Sequence, residues 1–403
     1  MSELKITDVR VFTVGSLLPF DGEEYWEERL ARPIDIYPEY DAEGAREMHQ
    51  MPVRRGASTS ELETTGSFVE IATDGGITGL APAAPESGWI IRNLLRPHLV
   101  GRDPLATERI WDQLYRINVH GRKGLSMMAL SHVDCALWDI AGKARGEPVY
   151  RLLGGPTRER IRAYASCLGL SLDPKLVAER AAMYVDEGYT AMKWFFRWGP
   201  SHGAKGVERN IELVKALRDA VGYGVGIMLD CWQSWSVPYA VKMARKLERY
   251  EPAWIEEPLM GDMVDEVAQI KAAVDIPISG GEHEYTRWGF MNLARRDALD
   301  IWQPDVTWAG GISEVTKICD IASSVGIPVI PHSGNAPVSQ HIWFSRNQAT
   351  TPMAEYLVKW NPIHQAPLKE QLAPRDGYIK PWKRPGLGLE LDEDRITQKA
   401  YAE

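Results

Sequence analysis

The chain has 403 residues, 44% hydrophobic and 25% charged, the balance of a folded globular protein and not of a disordered one. No apolar run reaches the ~20 residues that a bilayer-spanning helix needs, so no membrane partner is expected. A net charge of −9 argues against a nucleic-acid partner, whose phosphates call for a basic surface.

The N-terminal stretch MSELKITDVRVFTVG lacks the basic start and long apolar run of a signal peptide. From Ile6 to Gly15 it alternates like a strand. Ser67–Ala72 and Ile77–Ala81 read as two more strands, joined by Asp74-Gly75-Gly76, a strong hairpin signal. Between them, residues 16–66 show no regular period but carry Trp26, Tyr37, Tyr40, His49, Arg54 and Arg55. A segment of that length in a compact protein reads as a lid or binding loop. Helical periods over 87–100, 104–117 and 124–145 complete a small α+β domain. Cys135, Cys167, Cys231 and Cys319 form no CxxC pair. Structural zinc and a disulfide framework are therefore not expected, and a cytoplasmic location fits.

From Arg160 the rhythm changes. Short apolar or β-branched runs at 160–166, 190–196, 225–231, 253–257, 276–280, 299–304, 326–331 and 354–358 alternate with amphipathic stretches such as 174–187, 207–220 and 313–325. Strand–helix alternation means parallel βαβ units, and eight strands predict a barrel. The eighth helix is not evident.

Barrel enzymes place their chemistry at the C-terminal ends of the strands. The third strand ends in MLD, the fourth in WIEEP and the fifth in GGE, which offer Asp230, Glu256 and Glu282. Steps of 26 residues separate each from the next, about one βα unit, so three units in phase deliver a carboxylate each to one rim. One such residue is an ordinary polar strand end. Three together repel unless a cation holds them, and oxygen-only ligation suits a hard ion such as Mg²⁺. The sixth strand ends in QPD and the seventh in IPH, giving Asp305 and His332. A lone histidine is more often structural. With an Asp on one imidazole nitrogen, the other becomes a general base. Lys193 from the second strand and Glu355 from the eighth point to the same rim. The set answers one chemical problem. Removing a proton alpha to a carboxylate builds an enediolate, whose charge a metal and the Lys193 ammonium can stabilise while His332 takes the proton.

With these residues in view, ALWDIAGKARGEPVYRLLGG (136–155), followed by MLD, WIEEP, GGE, QPD and PHS, resembles the mandelate racemase branch of the enolase superfamily. Its members use a Lys or His base with Mg²⁺ on the enediolate. Within that branch, LDCWQSWSVPYA (229–240), GEHEYTRWGF (281–290), DIWQPDVTWAGGISEV (300–315) and PGLGLELDED (385–394) are similar to the rhamnonate dehydratase family. The resemblance implies an α+β capping domain plus an α/β modified TIM barrel, (β/α)7β. The expected division is a specificity-determining cap over 1–150 with lid loop 16–66, a barrel over 151–360, and a segment 361–403 returning to the cap. It also implies Mg²⁺ on Asp230, Glu256 and Glu282, an Asp305–His332 dyad, and Glu355 near the reacting carboxylate. His283, Arg29, Arg55 and Trp232 are expected to contact substrate. The expected partners are a small acid sugar and further copies of the chain in a homo-oligomer.

Two departures bear on function. Racemases of the branch carry a KxK pair on the second strand, whereas here it reads Lys193-Trp194-Phe195. Phe195 cannot carry a proton, so one-base elimination of water is favoured over two-base racemisation. In the cap, ERLARPIDIY puts Arg29 near the place where the rhamnonate enzymes tend to have a histidine. The expected reaction is dehydration of an L-rhamnonate-like aldonate to a 2-keto-3-deoxy acid. The alternatives are an L-lyxonate or L-mannonate dehydratase, a sugar-acid racemase or epimerase, and a metal-binding homologue without catalysis.

Overall fold

The computed structural model describes residues 4–41, 53–56 and 60–402; His49 lies outside them. No described helix is long and apolar enough to cross a membrane. The first unit is an antiparallel sheet. Strand β1 (Ile6–Pro19) pairs with β3 (Glu61–Thr73), which pairs on its other edge with β2 (Val53–Arg55) and β4 (Thr78–Ala83). Segment 16–66 is therefore less irregular than its sequence suggests. Both long strands run into it, and short helical turns occupy Pro33–Ile36 and Pro38–Asp41.

The second unit is a curled parallel sheet. Its strands are β5 (Ile161–Ser166), β6 (Ala191–Phe195), β7 (Gly226–Asp230), β8 (Trp254–Glu256), β9 (Ile278–Gly280), β10 (Ile301–Trp302) and β11 (Ala354–Leu357), and β11 pairs back onto β5. The remaining stave, seventh in chain order, touches β10 through a single parallel bridge, Val329 to Trp302. A helix of eight or more residues follows each of the first seven staves, ending with Ala336–Trp343. After β11 comes only the short helix Trp360–Gln365, so the architecture is (β/α)7β. The chain then adds β12 (Tyr378–Ile379) beside β5 and returns as β13 (Ile396–Tyr401) to pair antiparallel with β1.

Period-two alternation positions the chemistry. Tyr164, Ala191, Met228, Trp254, Ile301 and Ile330 form one buried cluster that plugs the barrel. Two residues further along the same staves stand Ser166, Lys193, Asp230, Glu256, Gln303 and His332. Successive strand side chains alternate faces, so the plug and the polar layer above it point to the same interior. Burying each large plug side chain stabilises the fold by about 1.5–3 kcal/mol.

The long helix Leu125–Arg145 docks the cap on the barrel. Asp134 accepts from Ser313 N at 2.9 Å and Ser313 Oγ at 2.6 Å, and Ser131 Oγ accepts from Gly310 N at 2.8 Å. The cap helix thus caps the barrel helix Gly311–Val325. Gly311 has φ +82°, and a Cβ there would lie 2.4 Å from Asp134 Oδ2. Gly311→Ala is expected to cost about 2 kcal/mol through overpacking and left-handed strain. A thermal melt should fall by several degrees, and an unchanged melt would show that the junction is slack.

Candidate active site

His332 is buried at the rim, and its Nδ1 is 2.7 Å from Asp305 Oδ2. The other oxygen of Asp305 accepts from Thr307 N and Thr307 Oγ1, both at 2.6 Å. The carboxylate is therefore fixed, and it fixes the ring. Nε2 is left facing Glu282 Oε2 at 3.9 Å. Burial disfavours the imidazolium, but the charge of Glu282, the Asp305 bond and the charge of Glu355 outweigh it and raise the His332 pKa to about 10. Trp308 covers the ring from 5.0 Å between centroids.

Across the barrel, Lys193 is 2% exposed. Its Nζ bonds Glu256, lies 2.8 Å from Glu355 Oε1 and 3.5 Å from Asp230 Oδ2. Burial works against the ammonium, yet Glu256 and Glu355 hold its pKa well above the ordinary lysine value. Glu256 Oε2 also accepts from Gln303 Nε2 at 2.7 Å and Trp254 Nε1 at 3.0 Å. Glu355 Oε2 accepts from Ser333 N at 3.0 Å.

The rim carries more negative charge than these cations offset. Burial, reinforced by neighbouring carboxylates, pushes Asp230 well up, and it pushes Glu282 to about 7 despite the opposing charge of His332. Two acids held back from ionising among further carboxylates form an oxygen-donor set that fits a hard divalent cation.

The structure brings Lys193, Asp230, Glu256 and Glu355 into one cluster, and Glu282, Asp305 and His332 into another beside it. Among the described residues the tightest group with metal-ligand chemistry is Glu257, Glu282 and His283, whose ligand atoms lie within 4.8 Å of one another. Asp230 and Glu256 are register partners on β7 and β8, but Glu256 is turned toward Lys193. Glu257, which the sequence reading passed over, bonds His283 Nδ1 at 2.7 Å. Its φ of +41° turns it out of the strand alternation, and the WIEEP motif alone does not encode that turn. Trp308 and Gln303 were likewise visible in QPDVTW without a signal of their role.

The substrate contacts expected from sequence divide. Trp232 and His283 line a cavity of about 470 Å³ together with Pro33, Ile34, Tyr37 and Met260. Arg29 and Arg55 do not line it. Arg29 bonds Asp35 at 2.7 Å and Asp41 at 2.8 Å inside the cap segment. Arg55 is exposed on β2 and donates to Glu23 O at 3.0 Å. A guanidinium finds a fixed partner where local acids and carbonyls are available, and the sequence spacing did not reveal those partners.

Residues 176–395 match the "Enolase C-terminal domain-like" family, and residues 43–154 match "Mandelate racemase / muconate lactonizing enzyme, N-terminal domain". The chain belongs to the mandelate racemase branch of the enolase superfamily. An L-rhamnonate dehydratase from Saccharopolyspora erythraea is 32% identical to this superfamily member over 412 residues, covering 99% of each chain. The crystal structure of L-rhamnonate dehydratase from Gibberella zeae superposes with a TM-score of 0.82 at 30% identity, covering 98% of this chain and 95% of that one. A second crystal structure from that organism, complexed with Mg, gives 0.81 at 29% identity and covers 98% and 96%.

Proposed function

We propose that this enolase-superfamily protein dehydrates an aldonic acid, L-rhamnonate or a close relative, to a 2-keto-3-deoxy acid. The observation that carries the reading is the Asp305-anchored His332, with Nε2 facing a buried carboxylate rim on a chain whose relatives are named for that reaction. In the proposed mechanism a cation held by Glu282 would offset the charge that keeps the His332 ring protonated, and the neutral ring's Nε2 takes the C2 proton while the electron pair moves into the carboxylate as an enediolate. That pair then returns to form the C2–C3 double bond as the C3 hydroxyl departs with a proton from the His332 imidazolium. The enol product tautomerises to the keto acid. Lys193 offsets charge growing on the substrate carboxylate, and Asp305 keeps the imidazole in one orientation. Phe195, buried beside Lys193, offers no second base, which favours elimination over racemisation.

Asp230, Glu256 and Glu282 are the residues assigned to hold Mg²⁺. When bound there, the ion supplies Lewis-acid stabilisation of the enediolate. The purified chain with Mg²⁺ should release a keto acid from an aldonate panel and lose that activity in EDTA. C2 deuterium exchange without keto acid would instead mark a racemase.

The ligand set has its own test. By calorimetry, Asp230→Asn and Glu282→Gln should each weaken Mg²⁺ binding by about tenfold or more, and Glu257→Gln should have a smaller effect. If Glu257→Gln weakens binding and Asp230→Asn does not, the tight Glu257–Glu282–His283 group is the cation site.

A further inference from the structure

Asp305 stands at the head of a loop, residues 305–310, that leads from β10 into the helix Gly311–Val325. The loop is closed on itself. The Asp305 carbonyl accepts from Trp308 N at 3.1 Å and from Ala309 N at 2.8 Å, and the Asp305 carboxylate accepts from Thr307. Val306, Thr307 and Ala309 are buried, and Trp308 lies over the His332 ring. A displacement at the far end of this loop therefore reaches both the carboxylate that orients the imidazole and the indole that covers it.

The cap holds that far end. Trp111, on the helix Thr107–Ile117, donates from Nε1 to Gly310 O at 2.7 Å. Ser131, on the helix Leu125–Arg145, accepts from Gly310 N at 2.8 Å. Gly310 is thus gripped at its N–H and at its C=O by separate cap helices. Ser131 Oγ is itself fixed, because it donates to Met127 O at 2.7 Å. Trp111 is 1% exposed, stacked on Tyr115 and covered by the Arg287 guanidinium. Gly310 has φ +125°, and a glycine backbone does not keep one conformation unaided. The barrel adds a contact to the same end, Thr286 N on Ala309 O at 2.9 Å.

The cap helix also comes close to the carboxylate without competing for it. Burial lowers the His132 pKa to about 4 against the opposing charge of Asp305. His132 is therefore neutral near pH 7, and Asp305 is left to His332.

We propose that Trp111 and Ser131 are positioning residues for the base: through the Gly310 peptide they set the placement of Asp305 and Trp308, and so the aim of His332 Nε2. The kinetic consequence rests on the dehydratase reading above, and the effect on the imidazole rests on geometry alone. A reacting group displaced by about 1 Å can cost on the order of 10²-fold in rate, so a small slackening of the loop is enough.

The test compares Ser131→Ala and Trp111→Phe with Trp138→Phe. Each removes a hydrogen bond between cap and barrel, but Trp138 Nε1 donates to Ser313 Oγ at 2.8 Å, beyond the loop. All three variants should melt somewhat below wild type. With L-rhamnonate and Mg²⁺, Ser131→Ala and Trp111→Phe should lower kcat by roughly 10–100-fold. KM and calorimetric Mg²⁺ affinity should hold, and the primary isotope effect with C2-deuterated substrate should rise. Trp138→Phe should keep the wild-type kcat and isotope effect. The proton between His332 Nδ1 and Asp305, assigned by its loss in His332→Asn, reports placement without turnover. Its downfield NMR signal should shift or broaden in Ser131→Ala and Trp111→Phe and stay in place in Trp138→Phe. Kinetics in those two variants no worse than in Trp138→Phe, or an unmoved proton signal, overturns the clamp while leaving the dehydratase reading intact. Absence of keto acid from wild type strikes that reading for L-rhamnonate, and the proton signal alone then decides the clamp.

Discussion

Replacing His332 by asparagine is expected to lower kcat by about 10³-fold or more, the upper part of the range for a lost general base. Asparagine can still donate to Asp305 and fits the same buried space, so the barrel rim should survive. Mg²⁺ affinity should therefore stay within about threefold of wild type, since the variant leaves every carboxylate in place. The contrast between intact metal binding and lost turnover is what separates a base from a structural histidine. Stopped-assay kcat and calorimetric Mg²⁺ affinity measured on the same preparation decide it. Near-normal turnover would remove His332 from proton transfer and leave the Asp305 bond without a catalytic purpose.

Lys193→Met should have the second largest effect, on stability as well as rate. Methionine matches the lysine stem in length but brings no charge. Asp230, Glu256 and Glu355 all lie against Nζ, so its loss leaves buried carboxylates facing one another. Removing one partner of a buried ion pair typically costs about 3–5 kcal/mol, and the metal-free variant should melt well below wild type. Added Mg²⁺ should raise the melting temperature of the variant more than that of wild type, because the ion replaces part of the missing charge. Even then kcat should stay reduced by about 10²-fold, the scale of a lost electrostatic contact to a developing oxyanion. Wild-type turnover would exclude Lys193 from stabilising the enediolate. A wild-type melt without metal would show that the carboxylates do not depend on it.

Much of the site was legible in the sequence because a parallel barrel repeats. The 26-residue steps between Asp230, Glu256 and Glu282 encode one βα unit each, and strand alternation does the rest. Three features were not legible, each for a physical reason. Glu61–Thr65 alternates inward Leu62 and Thr64 with outward Glu and Thr, so a buried threonine hid the first turn of β3. Gly15 reads as a strand end, yet β1 continues to Pro19 and the glycine marks only a register shift against β13. Arg29 looked available for an anion because its partners Asp35 and Asp41 come from a fold-specific return of the cap segment. Ion pairs between irregular loops carry no period to read.

The barrel plug has a consequence for how such a protein can change. Ala191, Met228, Trp254, Ile301 and Ile330 each sit two positions before a polar residue of the rim, so the plug works as the levelling course beneath the reactive layer. Exchanging a reactive side chain leaves that course untouched and lets new chemistry be tried on an old foundation. Deleting one residue within a stave would instead swing its functional group to the outside and bring an apolar neighbour inward. Inherited variation in this protein should therefore accumulate as replacements at the rim and as length changes in the loops beyond it, and hardly ever as insertions below.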